Sequence, residues 1–135
     1  MPVVPRKGVL AIAAVIDVAL HANGRPVSAK NLASRHSLPP RYLEPVLQAL
    51  VRDGILKGIR GPHGGYELAR ERDRISAMDI LRAAINNEET EMQGPASSLV
   101  IEVVEPVLAE TERTLAFALD RIKIDEMAKR AEALK

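Results

Sequence analysis

Between residues 43 and 51 the apolar positions fall at Leu43, Val46, Leu47, Leu50 and Val51, the spacing that lines one face of a helix. Arg41, Glu44, Gln48 and Arg52 fall off that stripe and face outward. Pro39-Pro40 opens this helix, where a missing amide donor costs nothing, and Asp53-Gly54 closes it, because glycine accepts the left-handed conformation of a C-terminal cap. Pro45 lies inside it, cannot donate to the carbonyl of Arg41, and predicts an outward bend of the first turn. Two extended runs follow, Ile55 to Arg60 and Tyr66 to Ala69. Gly61-Pro62-His63-Gly64-Gly65 joins them, which predicts a hairpin with a tight, bare tip.

Ahead of this unit, residues 6 to 21 are almost entirely apolar, with Asp17 the only acid, and predict a first helix covered on most sides. Asn23-Gly24-Arg25-Pro26 breaks it. A second helix, Ala29 to Arg35, starts behind Ser28, whose hydroxyl suits an N-cap, with Ala29, Leu32 and Ala33 inward. Behind the hairpin, Ser76 and Asp79 have capping-box spacing, and Met78, Leu81, Ala84 and Ile85 predict the stripe of a fourth helix. Residues 86 to 98 read as a polar, acidic, mobile linker. Beyond it Val100, Val104, Val107, Thr111, Leu115, Ala118 and Ile122 recur at steps of three and four, with Val103, Leu108 and Leu119 beside them. That argues a long helix with a broad apolar seam, kinked by Pro106 or broken near Glu102. A short charged helix, Asp125 to about Leu134, ends the chain.

A short helix, a tight turn at His36-Ser37-Leu38 and a second helix with an apolar stripe describe a helix-turn-helix; the hairpin makes it winged. Such a helix can enter a DNA major groove, and Arg60, beside glycines that let backbone approach closely, can reach into a minor groove. Each residue also has a plainer reading. Arg60 can be a solvated hairpin charge, Tyr42 can cap the core, Glu44 can serve the helix dipole rather than a cytosine amino group, and His63 can be an exposed turn residue or a phosphate neighbour.

Composition narrows the choice. A length of 135 residues suits one domain, with room for a small second lobe. The net charge of +1 hides an asymmetry: residues 1 to 75 hold 12 Lys and Arg against 6 Asp and Glu, and residues 76 to 135 hold 7 against 12. A basic front and acidic rear suit a chain that meets phosphate on one face. Two Tyr, one Phe and no Trp argue against single-strand binding by base stacking. The chain has no cysteine, which removes disulfides, thiolate chemistry and cysteine-held clusters, and His21, His36 and His63 are too scattered to suggest a metal site. The apolar run Val9 to Ile16 is far shorter than the ~20 residues of a membrane helix; although Arg6-Lys7 before it mimics a secretory signal, Asp17 interrupts it, so a cytoplasmic protein without membrane contact is expected. The glycine-rich tip lacks the Lys-Ser/Thr ending of a phosphate loop, and no catalytic triad or carboxylate pair stands out.

The chain resembles the Rrf-two family of bacterial winged-helix transcription regulators. Lys7-Gly8, Tyr42-Leu43-Glu44, Leu50 to Gly54 and the wing Arg60-Gly61-Pro62-His63-Gly64-Gly65-Tyr66 carry the resemblance, which fades after Ile85 and returns weakly at Leu119-Asp120-Arg121. It implies a homodimer held by long helices on a partly palindromic operator of duplex DNA. Arg41, Tyr42 and Glu44 would be recognition-helix contacts, Arg60 the minor-groove residue, Gly61, His63 and Gly64 its tip, and Ser28 a helix start on phosphate. Arg41 stands where relatives often carry a smaller polar residue. Cluster-binding relatives carry three cysteines before the long helix, and this chain has none. The resemblance therefore implies a regulator with no cofactor, answering to a small molecule, a partner protein or no effector at all.

The expected fold is mainly α: a winged helix-turn-helix (1–85) with a two-stranded wing, a linker (86–98), and a long dimerisation helix with a short C-terminal one (99–135). Val100, Val104, Val107, Leu108, Thr111, Leu115, Leu119 and Ile122 would form the dimer seam. The expected function is that of a DNA-binding repressor. Rival readings are a winged-helix protein-interaction module, and an enzyme or carrier with a pocket between linker and dimer helices.

Overall fold

Leu43, Val46, Leu47 and Leu50 are all buried, so the stripe read in the sequence is the inner face of a real helix. We describe residues 3–85 and 97–134 from a computed structural model. Among them the helices are α1 (Arg6–His21), α2 (Ala29–Arg35), α3 (Pro40–Arg52), α4 (Ala77–Ile85), α5 (Glu105–Asp120) and α6 (Ile124–Ala133), and one hairpin pairs β1 (Leu56–Ile59) with β2 (Gly65–Leu68). α3 runs through Pro45, which is exposed, and ends where Gly54 takes φ +76°, a value that glycine adopts without strain. The architecture is a mainly helical winged helix-turn-helix.

α1 is the centre of the packing, against α3, α4, α6 and β2. Ala11 and Ala14 are fully buried on its inner side, and their small side chains let neighbouring helices approach closely. Its outer side is more open than the sequence suggested: Val9 is 50% exposed. Ser28 caps α2 as expected, accepting from the Asn31 amide at 3.1 Å, and Leu32 and Ala33 turn inward. The antiparallel hairpin pairs Leu56 with Leu68 and Gly58 with Tyr66, and Val27 pairs with Tyr66 from the other side, through bonds of 2.9 and 2.8 Å. The wing is therefore sewn to the chain just before α2.

The capping box of α4 closes reciprocally: the Ser76 amide donates to Asp79 Oδ2 and the Asp79 amide to Ser76 Oγ, both at 3.1 Å. Its inner face differs from the expected stripe. Leu81 and Ala84 are buried, but Ala77, Ile80 and Ala83 join them while Met78 and Ile85 are only half-buried, because α1 and α3 flank one side of the helix and α5 the other.

Pro106 changes the long helix without ending it, since residues 98–120 stay helical. The carbonyl of Glu102 has no proline amide to receive, and a π-helical turn, Val100–Val104, precedes α5, with the Glu105 amide bonding back to the carbonyl of Val100. At its far end the chain returns to the first core. Ala77 N donates to Ile122 O and Ile124 N to Ile75 O, both at 2.8 Å; Ile124 is fully buried in the cluster that contains Leu43 and Leu47, and Ala128 is fully buried as well. Arg72 holds α6 from outside through Asp125 at 3.2 Å and Glu132 at 3.3 Å. No helix among the described residues is long and apolar enough to cross a membrane. Of the expected linker, residues 86–96 lie outside the described residues.

Candidate nucleic-acid interface

The outer face of α3 carries Arg41, Tyr42 and Glu44, all exposed. Tyr42 is 55% exposed, which rules out a role as a core cap, and the Arg41 guanidinium lies 5.2 Å from the centre of its ring. That distance is a cation–π contact, and it leaves a planar cation and an aromatic face presented together.

Beside this helix stands the wing. Arg60 is exposed at the edge of the tip and forms no ion pair among the described residues. Below it the turn closes through the Gly64 amide, which donates to Gly61 O at 2.9 Å. A β-carbon on Gly64 would overlap the carbonyl oxygen of Ile59 and press on that of Gly61 at 3.0 Å. Gly64→Ala is therefore expected either to cost about 1–3 kcal/mol or to open the turn. Urea melts with amide exchange at position 64 check this: an unchanged midpoint together with unchanged protection would show that the turn tolerates a side chain.

Ser28, His63 and Gly64, distant in sequence, come together with Arg25 and Asn31 around one polar cleft between the start of α2 and the wing tip. Ser28 Oγ already accepts from Asn31, so its hydroxyl proton remains available to a phosphate oxygen. Arg25 and Asn31 were missed by the sequence reading; the signal was a cation in the turn just ahead of a capped helix. The residues expected to form a dimer seam lie elsewhere. Val104, Val107 and Leu108 are exposed by 40, 65 and 51%, Thr111 is exposed, and Val100 and Ile122 are half-covered. Leu115 and Leu119 border a groove against Met78 and Arg82 of α4.

Two further groups hold α3 and the turn before it in place, and neither was foreseen. Arg70, just after the wing, donates to the carbonyls of Gly54 at 3.3 Å and Asp53 at 3.4 Å, and meets Asp79 at 3.4 Å, fastening the end of α3 to the start of α4. Asp17, 6% exposed, receives Arg35 Nη2 at 2.6 Å and Nε at 3.0 and 3.1 Å, with His36 Nε2 at 3.1 Å, while His21 Nδ1, hydrogen-bonded to the Asp17 main-chain carbonyl at 2.9 Å, lies 3.1 Å from the carboxylate. Burial by itself would push this carboxyl up, but the Arg35 hydrogen bonds and charge, with His21 and His36, outweigh it and hold the group below its usual range. Arg35 and His36 border the turn to α3, in which Ser37 takes φ +53°, so Asp17 pins that turn to α1.

Fold and surface together define the class: a winged helix-turn-helix module of transcriptional regulators, which is not an enzyme class. The chain belongs to the Rrf2 (Rrf-two) family, whose model, described as "Iron-dependent Transcriptional regulator", matches residues 4–130. CymR of Bacillus subtilis is 35% identical over 105 residues, covering 77% of this chain and 70% of that protein. IscR of Xenorhabdus nematophila is 36% identical over 77 residues, 57% of this chain and 47% of that protein. The chain thus spans about half the length of several curated relatives it matches. Its structure is similar to that of T. potens IscR, with a TM-score of 0.75 and 33% identity over 98% of this chain and 90% of the other. The family's iron does not fit this donor set: the chain has no cysteine to supply thiolates, and no group of three His, Asp or Glu among the described residues is placed to hold a metal ion.

Proposed function

We propose that this chain is a homodimeric, sequence-specific regulator that binds duplex DNA, works without an iron-sulphur cluster and represses the promoters it occupies. It acts in the cytoplasm, where that DNA lies. The carrying observation is the joint placement of Arg41, Tyr42 and Glu44 on the open face of α3 with Arg60 at the wing edge and the Ser28, Arg25 and His63 cleft beside it. Helix residues of these types read base edges in a major groove, a wing cation suits the potential of a minor groove, and the cleft suits a phosphate. Repression is the simplest consequence of a compact dimer seated over a promoter. Independence from iron is supported by the missing thiolates, and an effector, if the chain has one, is then a small molecule or a partner protein.

Titration with duplex DNA at several salt concentrations tests the reading. A dimer neutralising about six to eight phosphates gives a log–log slope of roughly −5 to −7. Absence of binding at low salt would instead support a protein-interaction module. Arg60→Ala is expected to weaken operator binding by ~1–3 kcal/mol with the dimer intact; an unchanged affinity would remove the wing from the interface.

A further inference from the structure

A cleft of about 720 Å³ opens between the start of α1 and the start of α3, and of its lining the function proposed above uses only Arg41 and Tyr42. Its floor is apolar, built from Leu10, Ala13, Leu38 and Val46, and its rim carries Arg6, Lys7 and Arg41. Among the described residues no acidic side chain lines it. Neither helix has an acidic residue in its first turn or a side-chain cap at its N-terminus, so no carboxylate in those first turns offsets the positive charge of the rim. An apolar floor under a cationic rim is poorly matched to water alone and poorly matched to a fully charged polymer, whose phosphates would leave the floor empty. It matches a molecule with one anionic end and an apolar body.

We propose that this cleft binds a small amphipathic carboxylate, its head on Arg6 and Arg41 and its tail or ring over Leu10 and Val46, and that its occupancy lowers affinity for DNA. The coupling rests on the DNA-binding reading, because Arg41 and Tyr42 line both the cleft and the outward face of α3. A guanidinium engaged by a carboxylate is not available to a base edge or phosphate. Reciprocity requires that DNA weaken the carboxylate by the same factor.

The test uses the full chain and decanoate as the probe, with acetate and decanol as controls. Calorimetry without DNA is expected to show saturable decanoate binding with a Kd on the order of 100 µM, and at least tenfold weaker binding of either control. Arg6→Gln and Val9→Asp, at exposed positions on the rim, should each weaken decanoate about tenfold with circular dichroism unchanged. Saturating decanoate should lower affinity for duplex DNA at least tenfold. No saturable heat below about 1 mM, equal binding of acetate, or indifference to both variants overturns the site; decanoate binding that leaves DNA affinity untouched overturns its placement at Arg41. Should the chain bind no DNA at all, the functional reading fails by itself, and the calorimetry still judges the cleft.

Discussion

Asp17→Ala lowers the folding stability of this protein by about 3 kcal/mol, an effect expected from a side chain that a sequence reader would pass over as a lone acid in an apolar helix. The carboxylate is nearly buried and receives three contacts from Arg35 and one from each of two histidines. Removing one partner of a buried, hydrogen-bonded pair costs about 3–5 kcal/mol, and the lower end applies because the Arg35 side chain is 36% exposed and recovers some hydration. The melting temperature should fall on the order of 10 °C. Asp17→Asn keeps the shape without the charge and should lose about 2 kcal/mol.

The pH dependence has a definite sign. A carboxyl whose folded pKa lies below its unfolded value of 3.8 contributes its full stabilisation above that value and loses it as pH falls through the folded pKa. The gap between the natural protein and Asp17→Asn should therefore be level through neutral pH and close below about pH 3.8. Urea melts at pH 7, 5 and 3 read it. A gap under ~0.5 kcal/mol at pH 7 would mean that the cluster is solvent-screened like a surface pair.

This cluster marks where sequence reading ends. Periodicity and local chemistry act over a few residues, which is why the α3 stripe, the Ser28 cap, the Ser76–Asp79 box and the glycine wing all appear where they were expected. Asp17 finds Arg35 and His36 eighteen and nineteen residues away, across a turn whose path no periodicity encodes. Arg70 reaches back to Gly54 for the same reason. In α4 the stripe was misplaced because the helix is covered from two sides, so the apolar arc is broad and its centre depends on where α1, α3 and α5 stand. Pro106 announced a kink or a break near Glu102, but whether a helix bends, breaks or inserts a π-turn depends on which option the residues before it tolerate. On the candidate interface, residue types pointed to Arg41 and Arg60, whereas Arg25 comes beside Ser28 and His63 only once the wing folds over the start of α2.

Val107→Glu is expected to have the largest effect on function: it should convert the proposed dimer into a folded monomer and reduce affinity for a full operator at least 100-fold. Val107 is 65% exposed in the single chain, so the substitution does not disturb the core, and any loss must come from contacts between copies. Around it Val103, Val104 and Leu108 are 40 to 51% exposed, a run of aliphatic surface that single domains seldom leave bare. Covering some six such side chains is worth roughly 10 kcal/mol gross, at 1.5 to 3 each, against an association cost of about 4 to 15, so the balance is close and one buried carboxylate tips it. The DNA consequence follows from linkage. In a dimer the second half-site is met at an effective concentration near millimolar, and a monomer forfeits that gain. The salt slope should halve, from roughly −5 to −7 to about −3, because each monomer touches only its own phosphates. Sedimentation velocity and the salt series read both effects on the same preparation. A Val107→Glu chain that still sediments as a dimer would place the contact between copies on another face, and the groove between α4 and α5, bordered by Leu115 and Leu119, would become the surface to test.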